Sequence, residues 1–136
     1  MKSVFFYGLF MDEDLLTGKG FHPSNRKLAF ANGYGLRIGD KATLVKSVSE
    51  SSYGIVMDLS EDEIERLYSA AGVLDYVPEQ IEVTDKEGNT YKVQCYNLPI
   101  SRLTGSNREY AKSLSVAAQK MGLPKSYVEQ ILTWAK

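Results

Sequence analysis

Val4-Phe5-Phe6-Tyr7-Gly8-Leu9-Phe10-Met11-Asp12 is the stretch on which the fold turns. Lys2–Tyr7 reads as a buried strand that ends at Gly8, and Asp12 offers a side-chain cap to a short helix over Glu13–Leu16. A strand that enters a helix through a glycine exposes backbone N–H groups at the helix start, where the macrodipole favours an anion. Tyr7–Met11 has that layout, so the turn is expected to form one wall of a pocket for a small anionic molecule. Strand–glycine–helix turns are also common as plain structure, and this stretch alone does not separate the two.

The flanking chain alternates between period-2 and helical patterns. Lys27–Arg37 is a strand that Gly33 and Gly35 allow to bend or to admit a close backbone neighbour. Ala42–Val48 and Ser52–Leu59 read as a hairpin around Ser49-Glu50-Ser51. Ser60 and Glu63 form a capping box for a helix that Gly72 is placed to end, with Ile64, Leu67, Tyr68 and Ala71 on its inward face. Gln80–Thr84 and Thr90–Leu98 pair about Asp85-Lys86-Glu87-Gly88-Asn89, with Ile81 and Val83 in the core. A third helix starts at a capping box of Ser106 and Glu109, carries Tyr110, Leu114, Ala117 and Met121, and stops at Gly122. Pro124 opens a last helix that docks through Tyr127, Val128, Ile131 and Leu132. No linker, repeat or low-complexity tract divides residues 1–136, which read as a single α+β domain.

Composition narrows the function classes. With 43% apolar and 24% charged residues the chain can build one globular core, and no apolar run approaches the ~20 residues of a membrane-spanning helix. The apolar start is too short for a signal peptide and acidic residues follow it. A net charge of −1, without a Lys or Arg cluster longer than a pair, argues against nucleic acid. One cysteine, Cys95, and one histidine, His22, are too few for a disulfide or a zinc site. A reducing cytoplasm fits. Surface composition fixes no oligomeric state.

Tyr7-Gly8, then Ala42-Thr43-Leu44, then Tyr53-Gly54-Ile55-Val56-Met57-Asp58-Leu59-Ser60 leading into a helix resembles the gamma-glutamylcyclotransferase-like family, in the form of a small bacterial-type member. Leu67-Tyr68-Ser69-Ala70-Ala71-Gly72-Val73, with Tyr76 and Ile81-Glu82-Val83 after it, is similar to the family's segment around its catalytic glutamate. Ala118-Gln119-Lys120-Met121-Gly122-Leu123-Pro124 resembles helical tails of some members. The resemblance covers most of the chain, and the order and spacing of short motifs carry it. It implies a small closed β-barrel of mixed strands flanked by helices, with a cavity bounded by the Tyr-Gly turn. It also implies action on γ-glutamyl amines, in which the substrate's α-amine attacks the γ-carbonyl and 5-oxoproline closes as the amine leaves. No metal or organic cofactor is implied.

Two departures bear on activity. That ring closure needs a proton acceptor for the ammonium and a donor for the leaving amine, a pair of tasks one carboxylate performs. The family's glutamate for this role falls at Ala71, and alanine moves no proton. Leu9 stands where relatives often carry a serine or threonine. The amides of Gly8, Leu9 and Phe10 are still able to hold a carboxylate, and Tyr76 and Tyr96 match cavity tyrosines of the family.

The resemblance therefore implies a pocket protein for a γ-glutamyl amine, 5-oxoproline or similar small carboxylate, without the usual proton carrier. Asp75 and Glu79 are the candidate substitute carboxylates of an active cyclotransferase or other amide-cleaving enzyme, and both also read as solvated loop charges. A non-catalytic interaction scaffold is the third reading. Tyr7, Tyr76 and Tyr96 serve equally as cavity tyrosines or as core aromatics at a barrel rim. His22 reads as a solvent-facing loop residue and Cys95 as a small buried group. Acidic Glu61-Asp62-Glu63 suits a helix first turn without any metal.

Overall fold

The computed structural model describes residues 1–70 and 72–136. The first apolar run becomes β1 (Lys2–Phe6), in which Val4, Phe5 and Phe6 are at most 2% exposed. A 3-10 turn at Leu9–Met11 and helix α1 (Glu13–Gly18) follow, the Asp12 side chain accepting from the Asp14 amide. Then come β2 (Ser24–Ile38), β3 (Ala42–Leu59), α2 (Glu61–Tyr68), β4 (Val77–Asp85) and β5 (Thr90–Asn97). A second 3-10 turn at Ile100–Arg102 leads to α3 (Arg108–Lys120) and α4 (Lys125–Thr133).

The five strands close into a barrel in the order β1-β3-β2-β4-β5. Four pairings are antiparallel, and a parallel contact of β1 with β5 at Val4 and Gln94 completes the ring. The register puts Phe5, Ala29, Val56, Ile81, Val93 and Cys95 on one face, all at most 3% exposed, which is the barrel interior. On the other face Phe6, Ile55 and Met57 are buried in the same apolar cluster as Leu114, Ala118 and Ile131 of α3 and α4. A strand covered on both faces has no polar alternation, which is why β1 reads as a continuous apolar run.

The hairpin expected around Ser49-Glu50-Ser51 is not formed. β3 is one strand of 18 residues paired with β2 along its length, and the reversal is the Gly39–Lys41 connection, closed by the Gly39 amide on the Lys41 carbonyl at 3.0 Å. Opposite Gly33 (φ +84) the register jumps from Asn32–Ser51 to Tyr34–Lys46, so residues 47–50 bulge out of the ladder. Val48 stands fully exposed on that bulge, and Glu50 folds back to grip Arg37 at 3.0 and 2.7 Å. The polar tripeptide thus marks a real departure from the ladder, but of the bulge kind.

The α2 capping box forms as expected, Ser60 and Glu63 exchanging bonds of 3.1 Å. Glu63 also accepts from the His22 amide at 2.7 Å. The helix ends at Tyr68, and Ala71 lies outside the described residues. α3 is capped by Asn107 rather than Ser106, because the Asn107 carbonyl oxygen takes the Tyr110 amide at 2.9 Å while its NH₂ group donates to Asp40 O at 3.2 Å. α4 buries Tyr127 and Ile131, but Leu132 is 40% exposed and does not dock. Among the described residues no helix is long and apolar enough to cross a membrane.

Candidate functional site

The strand–turn–helix at Tyr7–Met11 borders a cavity of about 220 Å³ at one end of the barrel. Phe5, Phe6 and the turn residues Tyr7, Gly8, Leu9 and Phe10 form one wall. Tyr68, Tyr76, Tyr96 and Tyr110 form much of the rest, with Lys41 at the end of the β2–β3 connection. The six positions expected to contact a ligand, Tyr7, Gly8, Leu9, Phe10, Tyr76 and Tyr96, therefore line one space.

Aromatic packing sets the walls. Tyr96 lies flat on Tyr68, ring centroids 3.9 Å apart and planes 10° from parallel, and Tyr76 leans on the same ring at 6.4 Å. Phe10 meets Tyr68 edge-on at 5.9 Å, which ties the turn to the end of α2. Tyr7, 5% exposed, donates its hydroxyl to the Tyr96 carbonyl at 2.7 Å, and Tyr76 donates to the Ala42 carbonyl. Both hydroxyls are thus tied to the barrel rim, while the rings face the cavity.

Within the turn, the amides of Met11 and Asp12 close onto the carbonyls of Gly8 and Leu9 at 2.9 and 3.2 Å. The amides of Gly8, Leu9 and Phe10 have no hydrogen-bonded protein acceptor among the described residues, and the Tyr110 hydroxyl lies close to the turn. A Cβ on Gly8 would stand 2.7 Å from the Tyr110 hydroxyl, so a side chain there would have to displace that hydroxyl.

Electrostatics make the cavity a donor environment. Burial pushes the Tyr7 and Tyr68 hydroxyls well above the usual phenol range and raises Tyr76 and Tyr96 as well. Tyr110 is pushed up to about 12 by the same cause. All five phenols stay protonated at neutral pH and are not bases, but the protons of Tyr7 and Tyr76 are already committed to backbone carbonyls. Lys41 is the cation of the wall, it joins no ion pair among the described residues, and no carboxylate lines the cavity among them.

Asp75 is exposed and lines a neighbouring depression with Asp40 and Arg102. Glu79, also exposed, accepts from the Asn97 side chain and does not line the tyrosine cavity. The proton-carrier position, Ala71, is outside the described residues. His22 is away from the cavity, its amide held by Glu63. Cys95 is fully buried in the barrel, its thiol raised by burial. Of the acidic triplet, Glu61 pairs with Lys2, Asp62 with Arg66 and Glu63 closes the capping box.

Sequence reasoning missed Lys41 and Tyr110 as cavity residues. Lys41 directly precedes the Ala42-Thr43-Leu44 motif, which was the available signal. Tyr110 had none, since on its own helix it is one more inward aromatic, and only the packing of α3 on the Leu9–Met11 turn brings it to the cavity.

A closed mixed barrel with a phenol-lined cavity beside a strand–glycine turn is the architecture these residues build. The chain belongs to the AIG2-like family, whose model matches residues 51–131. It is 25% identical over 111 residues to the gamma-glutamylcyclotransferase of Bos taurus, covering 77% of this chain and 59% of that protein. The enzyme of the same name from Mus musculus is 27% identical over 95 residues, 68% of this chain and 50% of its own length. This chain thus spans only half to three-fifths of those curated relatives. Among solved structures, a gamma-glutamyl cyclotransferase superposes with a TM-score of 0.76 at 21% identity, covering 96% of this chain and 85% of that one. YkqA from Bacillus subtilis gives 0.79 at 20% identity, covering 98% and 54%. A gamma-glutamyl cyclotransferase specific to glutathione from yeast gives 0.72 at 15%, covering 98% and 95%. At these identities the structures establish the shared barrel fold.

Proposed function

We propose that this protein binds a γ-glutamyl amine, 5-oxoproline or a similar small carboxylate in the tyrosine cavity, as a binding protein without standard cyclotransferase turnover. The observation that carries the reading is the lining: protonated phenols and one ammonium, Lys41, with no opposing carboxylate among the described residues. Such a wall attracts an anion through Lys41 and leaves the phenols other than Tyr7 and Tyr76 to donate to it, and in a partly desolvated cleft that attraction is stronger than in water. The volume, about 220 Å³, lies below the ~300–1,000 Å³ of pockets for drug-sized ligands and suits a small metabolite. The names of the curated relatives support the γ-glutamyl class.

The same lining argues against turnover. In ring closure the α-amine attacks the γ-carbonyl, the new C–N bond forms as the old one breaks, an ammonium proton must leave and the departing amine must gain one. Phenols held protonated accept no proton at neutral pH, and Ala71 brings no carboxylate. Removing a general acid/base costs about 10²–10⁴-fold in rate. The reading with Asp75 or Glu79 as substitute needs one of them to move into the cavity, and the scaffold reading needs an empty one.

The test is titration by NMR or calorimetry with 5-oxoproline and a panel of γ-glutamyl amino acids, alongside an assay for released 5-oxoproline. Saturable binding, weakened in Lys41→Ala, is expected, with no turnover in the parent and a gain in Ala71→Glu. Efficient release by the parent, abolished in Asp75→Asn or Glu79→Gln, would replace the proposal with the enzyme reading. Absence of any binding favours the scaffold.

A further inference from the structure

Tyr68, the last residue of α2, is the ring on which the cavity wall is assembled. Tyr96 is stacked on it with ring centroids 3.9 Å apart, Phe10 meets it edge-on at 5.9 Å and Tyr76 leans on it at 6.4 Å. These neighbours come from β5, from the Leu9–Met11 turn and from the residue before β4, so three separate parts of the chain fix the ring. A side chain held in this way loses little freedom when a ligand arrives.

Its hydroxyl is not spent on the barrel. Tyr7 gives its proton to the Tyr96 carbonyl and Tyr76 to the Ala42 carbonyl, whereas the Tyr68 hydroxyl has no hydrogen-bond partner among the described residues. The surroundings of that hydroxyl are neutral. Burial, then the Cys95 thiol and the phenols of Tyr96, Tyr76 and Tyr110 raise it, and no ammonium or carboxylate is among those neighbours. Lys41 and the unpaired amides of the Tyr-Gly turn make up the part of the lining that attracts an anion. A carboxylate seated at Tyr68 would lose its water with no opposite charge in return, while a neutral carbonyl there needs only one donor. The ligands of the binding reading carry both groups, a carboxylate and an uncharged amide or lactam carbonyl.

We infer that Tyr68 is a ligand-contacting, specificity-determining residue whose hydroxyl donates to the uncharged amide or lactam carbonyl of the ligand, while the ligand's carboxylate is held at Lys41. The inference rests on the binding reading above and adds to it the orientation of the ligand in the cavity. It also narrows the ligand class, since a carboxylate with a carbonyl across a small ring is preferred to one of the same size without it.

The experiment uses three carboxylates on the parent and on Tyr68→Phe: 5-oxoproline, tetrahydrofuran-2-carboxylate and the lactone that is the 5-oxo derivative of the latter. The last two differ only in the carbonyl. Dissociation constants come from NMR titration, with thermal unfolding as a check on the fold. One hydrogen bond between neutral groups carries about a 3- to 10-fold factor. Tyr68→Phe is expected to weaken 5-oxoproline and the lactone by that factor and to leave the carbonyl-free ring within about twofold. If Tyr68→Phe does not fold, the parent carries the test through nuclear Overhauser contacts, expected between the Tyr68 ring and the methylene beside the 5-oxoproline carbonyl. Absence of that contact overturns the inference while the binding reading stands, and so does unchanged affinity of Tyr68→Phe for 5-oxoproline. Equal weakening of the lactone and the carbonyl-free ring overturns it too, since it assigns Tyr68 to wall packing. A parent that binds none of the three sinks both readings.

Discussion

Gly54→Ala and Gly18→Ala are the same chemical change and should move stability in opposite directions. Gly54 lies in β3 where β1 crosses it, and an added Cβ would stand 2.9 Å from Phe5 Cζ and 3.0 Å from Phe5 Cε1, with the Phe6 carbonyl oxygen closer still. Ordinary contact needs about 0.5 Å more from each ring atom, and the ring is 1% exposed inside the barrel with nowhere to go. The carbonyl belongs to the backbone, so β1 itself must shift. Overpacking of a closed core costs about 1–3 kcal/mol, and a lost ladder bond adds about 1. The expected loss is therefore about 2–4 kcal/mol. Gly18 is the last residue of α1, has no atom within 4 Å of a Cβ and needs no positive φ. Alanine there restricts the unfolded chain and should stabilise by about 0.4–1 kcal/mol. Urea denaturation followed by far-UV circular dichroism measures both, with an unchanged slope showing that the unfolded state is the same. A Gly54→Ala protein within about 0.5 kcal/mol of the parent would refute the close β1–β3 crossing on which the cavity wall depends.

Glu63→Ala should cost about 2 kcal/mol in the same assay, because it strips acceptors from the Ser60 and His22 amides together; a loss confined to α2 helicity, with β-barrel amide exchange untouched, would contradict that bridge. Asn107→Ala should cost about 1 kcal/mol as a lost cap and should also weaken 5-oxoproline binding by loosening Lys41 and Tyr110 together. The Arg37 guanidinium lowers Glu50 to about 2 from an ordinary 4.5, so the pair's contribution is complete above about 4.5 and is lost as pH falls toward 2. Both partners are partly exposed, which keeps the contribution under about 1 kcal/mol, and Glu50→Gln should flatten the stability profile across that window.

What could be read locally was read well. The α2 capping box, the β4–β5 hairpin and the apolar run of β1 each depend on neighbours within a few residues, so local chemistry determines them. The α2 helix stops at Tyr68, short of the Gly72 stop expected for it, and two further boundaries moved because a tertiary partner overrode a local signal. Ser49-Glu50-Ser51 is a bulge because β2 continues past it and Arg37 draws Glu50 inward, and α3 begins at Asn107 because that side chain also reaches Asp40.

The order of short motifs pointed to the fold family and placed Tyr7, Gly8, Leu9, Phe10, Tyr76 and Tyr96 around one cavity. Lys41 and Tyr110 come to it from a tight connection and a distant helix, and their meeting depends on the closure of the barrel and the packing of α3 on the Leu9–Met11 turn. The exclusion of Asp75 and Glu79 from the cavity lining is of the same kind. Sequence determined the residues of the turn and the chemistry they offer. Tertiary structure alone decided which charges face it, since a side chain's partner across a closed sheet is set by register and packing, and neither is written in the residues beside it.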